Sequence, residues 1–162
     1  MRMNSPHIPD DTESVTVKAL RGTLLVLFIV GSVGTGVELF LLGHTEDTWQ
    51  WTPLVLMGLG VPALGWLLVA PGRASGRAFQ TTMGLFLLSG IIGLALHYKG
   101  NAEFELEMYP SMDGWKLFWE VVRGATPVLA PGMMIELGLL GLAYTYRHPA
   151  FPRAPEPPQR SE

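Results

Sequence analysis

The chain has no cysteine. Disulfide frameworks, thiolate nucleophiles, iron–sulfur ligation and Cys-type zinc sites are all excluded by that absence. Charge is scarce as well. Asp, Glu, Lys and Arg make up 15% of the 162 residues, against about 25% in an ordinary soluble domain. Basic residues never gather into a block and the net charge is −3, so a nucleic-acid partner finds no electrostatic footprint. Walker, dinucleotide-binding, EF-hand and Ser-His-Asp patterns are missing too, which leaves no recognisable catalytic set. No cofactor is indicated, and the expectation is a protein that is not an enzyme.

What is present is apolar. Hydrophobic residues reach 48%, mean hydropathy is +0.28, and there are 19 glycines, a composition that fits closely packed membrane helices. The first apolar run, residues 24–43, gives about 20 residues, enough to cross a ~30 Å hydrocarbon core. Lys18 and Arg21 precede it, and the small residues at 31–36 offer a cleavable signal as the competing reading. The run resumes after Gly36, which favours an uncleaved helix. Further spans are expected over 51–70, with a kink at Pro62, over 79–98, and from about 127 or 128 to 146.

The links between these runs carry the polar residues. The first, 44–50, holds Glu46 and Asp47. The third is long. In it Glu103, Glu105 and Glu107 alternate with apolar residues, so an extended segment would align three carboxylates. Residues 109–114 read as a turn that includes Asp113. Trp115, Phe118, Trp119 and Val122 then recur at helical spacing, the pattern of a short amphipathic helix lying in the membrane interface. Together these acids form a candidate outer surface, most simply solvated, with docking of a basic partner or weak calcium binding as alternatives.

The fold expected is therefore an all-α integral membrane protein with four transmembrane helices and an interfacial helix between spans three and four. Residues 1–17 form a cytoplasmic N-terminal tail, 18–147 the transmembrane domain and 148–162 a Pro-rich disordered tail. His7 and His148 belong to those tails as solvated histidines. Orientation follows from the basic residues. Arg2, Lys18, Arg21, Arg73, Arg77, Arg147, Arg153 and Arg160 flank one face, whereas Lys99, Lys116 and Arg123 flank the other. Basic flanks stay inside, so both termini are expected in the cytoplasm of a bacterial inner-membrane protein.

Two carboxylates interrupt the apolar runs: Glu38 in the first and Glu136 in the last. Each costs about 2.5–3.5 kcal/mol within hydrocarbon on insertion scales, so each asks for a partner or a role. By helical rise they lie about 8 Å and about 12 Å from the outer helix ends. His44 and His97 close the first and third runs at the same face. Small and polar residues align with them: Gly31, Thr35, Glu38 and Thr45 on the first helix, Thr82, Ser89, Gly93 and His97 on the third, and Gly132, Glu136 and Ala143 on the last. If those stripes meet, Glu38, Glu136 and His97 converge on a polar pocket. Three uses compete for it: structural hydrogen bonding by neutral carboxyls, proton or cation exchange, and a metal or haem site. Mixed His and Glu ligation suits zinc, iron or manganese, but no pair has the i,i+3 or i,i+4 spacing common in such sites. A haem held by His44 and His97 would need both deeper in the bilayer. The role expected is an accessory or binding subunit of a larger membrane assembly, in contact with lipid and with other subunits or its own copies. A proton- or cation-coupled carrier using Glu38 and Glu136 is the first alternative, and a membrane metal- or haem-binding enzyme the second.

Overall fold

The computed structural model describes residues 11–124 and 130–151. Among them are five helices: α1 (Asp11–Leu41), α2 (Thr48–Val69), α3 (Arg73–Met108), α4 (Gly114–Arg123) and α5 (Gly132–Tyr144). Within α1 the stretch Val15–Leu41, and α2 and α3 entire, are long and apolar enough to cross a membrane. The protein is thus an all-α, multi-span membrane protein with at least three such helices. The 13 residues of α5 rise about 20 Å, short of the hydrocarbon core. Its expected start at 127 or 128 lies outside the described residues.

Two expectations need correcting. The first helix begins at Asp11, so its first turns already occupy what reads as a polar tail. The third span does not stop at Tyr98. Its helix continues to Met108, and Glu103, Glu105 and Glu107 lie on it rather than on an extended segment. The residues explain this: Ala102, the three glutamates, Leu106 and Met108 are good helix formers, and Lys99 pairs with Glu103 one turn on at 3.5 Å. Termination waits for Pro110, which disfavours helix at the residue before it. α4 is the short amphipathic helix expected after the turn. It folds back along the extension of α3, where Asn101 Nδ2 donates to the Val121 carbonyl at 2.9 Å. Val121 is fully buried there, while Trp115, Phe118 and Trp119 stay exposed. α2, for its part, runs unbroken through Pro53 and Pro62.

The tightest packing joins α3 to α5, and glycine makes it possible. A Cβ on Gly90 would sit 2.9 Å from the Pro131 carbonyl oxygen, and one on Gly138 would sit 2.9 Å from that of Met83. Backbones approach this closely only where side chains are missing, as small residues allow in lipid. α1 lies on α5 across Gly31, α2 lies on α3, and the direct α1–α2 contact is slight. The core runs from Leu56, Met57 and Met134 to Leu67 and Tyr144, with aromatic rings towards the end that carries the first turns of α1 and residues 145–151. There Phe28 meets Phe79 edge-on at 5.7 Å and Phe79 meets Tyr144 at 6.1 Å, with Met83, Phe86, Leu67 and Leu137 around them.

That terminal end is also sealed. Residues 145–151 wrap over it as a short strap, so the expected tail at 148–162 is ordered in its first four residues, and the rest of it lies outside the described residues. Gln80 Nε2 donates to the Thr145 hydroxyl at 3.0 Å, and Arg21 donates to the Arg147 carbonyl at 2.8 Å. Phe151 packs its ring on the bare backbone of Gly76. His148 is no solvated histidine, being 8% exposed. Its Nδ1 accepts the Ala150 N–H at 3.1 Å, and its ring lies 5.4 Å from that of Tyr144.

Candidate site: a cavity at the loop end

At the opposite end, which carries the α1–α2 link and α4, the bundle opens. A cavity of about 530 Å³ lies between α1, α2, α3 and the start of α5. Thr35, Glu38, Leu39 and Leu42 line it from α1, and Ser89, Ile92, Gly93, Leu96 and His97 from α3. Pro131, Met133 and Met134 contribute from the side of α5, while His44 and Asp47 stand in the α1–α2 link. Its walls are mostly apolar, and its polar groups lie towards the helix ends.

The position of His44 is a backbone effect. Gly43 has φ +64, the left-handed conformation that a glycine after a helix adopts readily. The His44 N–H then reaches back to the Leu39 carbonyl at 2.9 Å and the Gly43 N–H to that of Phe40 at 3.1 Å. This is a Schellman close. Counting along an unbroken helix puts His44 about 120° from the face of Glu38; ending the helix returns it to the same cavity. His44 is also near enough to His97 to feel its charge. Its pKa lies below the ordinary value, first because burial strips solvent from the ring and then because of His97, with Asp47 opposing. Burial and His97 thus disfavour the charged ring, and an uncharged imidazole can donate from one ring nitrogen while accepting at the other.

The α1–α2 link is pinned by its own polar groups. Asp47 caps α2, accepting the N–H groups of Trp49 at 2.7 Å and Gln50 at 3.0 Å. The Gln50 side chain accepts the Glu46 N–H at 2.7 Å, and Trp51 Nε1 donates to the Thr45 carbonyl at 3.0 Å. Trp49, Gln50, Thr52 and Pro53 join the lining in consequence. Gln50 and Thr52 were not among the residues expected at the site. The spacing of Asp47 and Gln50 was the available signal, since a capping residue with Gln three positions on marks a helix start.

Glu38, His44 and His97 thus share one cavity, with Thr35, Ser89 and Gly93 beside them. Glu136 does not line it. It lies on α5 one residue before Leu137, which is buried against α1, and its own face is exposed. The reason is angular: the buried stripe of α5 runs through Met134, Leu137, Gly138, Gly141 and Tyr144, and 100° per residue turns Glu136 off it. Both carboxylates are also nearer their helix ends than the longer expected spans imply. Glu38 is about 5 Å from the last residue of α1 and Glu136 about 6 Å from the first of α5.

The expected acidic surface divides in two. Asp47 lines the large cavity, and Glu46, its neighbour in the α1–α2 link, does not. Glu103, Glu105 and Glu107 ride on the α3 extension, and Asp113 stands before α4. Glu105 lines a separate hollow of about 350 Å³ with Tyr109, Met112, Lys116 and Glu120. Among the described residues no three His, Asp or Glu side chains are grouped to hold a metal ion. Compared with known proteins, the chain matches no family model, no curated protein and no solved structure.

Proposed function

We propose that this protein is a binding subunit of a membrane assembly, taking a small ligand with an apolar body and a polar head into the loop-end cavity. The cavity carries the proposal. Its volume of about 530 Å³ falls in the usual range for small-molecule sites, and apolar walls with a few convergent polar groups are the usual pattern. Binding rather than catalysis is the role proposed, with Glu38, His44 and His97 as groups that orient a head and Leu39, Ile92 and Met134 as wall. The basic residues favour termini inside, so the cavity opens towards the outer face.

Glu136 favours the assembly half of the proposal. An exposed carboxylate on an apolar helix is costly to leave against lipid, and a neighbouring subunit or a second copy would cover it. The two-carboxylate carrier loses ground on the same observation, because Glu38 and Glu136 do not share the cavity.

Native mass spectrometry of the full chain in mild detergent tests both halves. A small-molecule adduct that survives purification and disappears in Ser89→Trp, which fills the cavity, is the expected result. A bare wild-type mass, or an adduct retained by Ser89→Trp, would count against a ligand in this cavity. Assembly predicts a mass above the monomer that Glu136→Lys reduces; a monomer in every mild detergent would contradict it.

A further inference from the structure

Resting on the binding role just proposed, we infer that the ligand taken by the loop-end cavity is a lipophilic monocation, such as a protonated amine or a quaternary onium ion, with Glu38 as its counter-ion.

The inference starts from an imbalance. Four ionisable side chains line the cavity: Glu38, Asp47, His44 and His97. Neither a lysine nor an arginine does so. Asp47 is already committed, its carboxylate holding the first N–H groups of α2. The nearest basic residue along α3, Lys99, is paired with Glu103. The Glu38 side chain is exposed and has no hydrogen-bond or ion-pair partner among the described residues. It stands on a membrane-spanning helix with an apolar wall beside it, where an uncompensated charge is expensive. A cation in the cavity supplies the missing compensation, and an anion would add a second uncompensated charge.

The remaining lining says what kind of cation fits. A strongly hydrated metal ion would require several oxygen or nitrogen ligands at close quarters, and no such group is assembled among the described residues. An organic cation needs less. Its charge is spread over or shielded by carbon, its body is satisfied by Leu39, Ile92 and Met134, and Trp49 offers a π face. At His44 burial and the nearby His97 disfavour a charge on the ring that would repel a cation. The slight contact between α1 and α2 leaves the side of the cavity between them the least packed, an approach suited to a ligand that partitions into the membrane.

Two ions of one shape and opposite charge test this directly. Tetraphenylphosphonium and tetraphenylborate are titrated onto the full-length protein in detergent, with partition into empty micelles subtracted. The expected result is at least tenfold tighter binding of the phosphonium, a preference lost in Glu38→Gln and kept in Glu136→Gln. Equal or reversed preference would overturn the assignment, as would a preference that survives Glu38→Gln or vanishes equally in Glu136→Gln. Failure of both ions to bind would overturn it too. The parent reading is judged separately by the co-purified adduct: an adduct lost in Ser89→Trp, together with no cation preference, leaves a ligand-binding cavity and refutes only its charge class.

Discussion

Gly43 sets the position of His44 through its left-handed φ, and several other single residues have similarly definite effects. Gly90 is one. An added Cβ would press on the Pro131 carbonyl and the Ile135 backbone nitrogen, both at 2.9 Å. Gly90→Ala should therefore destabilise the protein by about 1–3 kcal/mol, the usual cost of overpacking. Gly84→Ala, which meets nothing within 4 Å, should cost nothing; unfolding of the two variants in detergent checks the difference. His148 makes a pH prediction. Its pKa is lowered, first by burial and then by the charge of Arg21, so the unfolded chain takes up the proton more readily. The stability it contributes is whole above about pH 6.5 and is lost as pH falls through the depressed value. His44 is shifted in the same direction. Replacing His148 with Phe should flatten, without abolishing, the fall in thermal stability between neutral and mildly acidic pH. An unchanged slope would show that the ring is not held as described. Residue identity alone identified Glu38 and the two helix-end histidines as groups needing partners. It could not show that Glu136 turns away, because the register of α5 depends on which of its faces the glycines of α3 admit.

Among the elements, the long apolar runs were legible from composition and length, and the amphipathic α4 from its spacing. The extension of α3 was not. Alternating acids and apolar residues satisfy a period of two on paper, but helix propensity and the Lys99–Glu103 pair decide the conformation. The resulting α3–α4 hairpin hangs on few contacts, chief among them the Asn101–Val121 hydrogen bond at 2.9 Å and the ring contact of Tyr98 with Phe118 at 6.4 Å. Asn101→Ala leaves the Val121 carbonyl without that donor in a buried place, a loss of about 1–3 kcal/mol. Hydrogen exchange should quicken in α4 and in the outer turns of α3 while the bundle core stays protected. Uniform protection across α4 would mean that another contact holds the hairpin. The strap at 145–151 is the second element hidden from the sequence. Its prolines and arginine suggest a tail, yet Gly76 provides a bare backbone on which Phe151 can pack.

At the scale of the molecule, the bundle is closed at one end and open at the other. Aromatic packing and the strap seal the terminal end; the cavity and the α3–α4 hairpin occupy the loop end. The distribution of basic residues gives this polarity a direction in the membrane. Reporter fusions should show both the start and the end of the chain on the cytoplasmic side, and a reporter placed in the turn before α4 on the opposite side; the reverse pattern would contradict the orientation proposed. The central claim is that the loop end holds an accessible cavity while the buried core is packed solid. Because the chain has no cysteine of its own, alkylation of introduced thiols in native membranes measures this most directly. Ser89→Cys, on the cavity wall, should react with a small membrane-permeant maleimide at least tenfold faster than Met83→Cys, which sits in the fully buried core. Equal rates at the two positions, or a Ser89→Cys thiol that does not react, would contradict it.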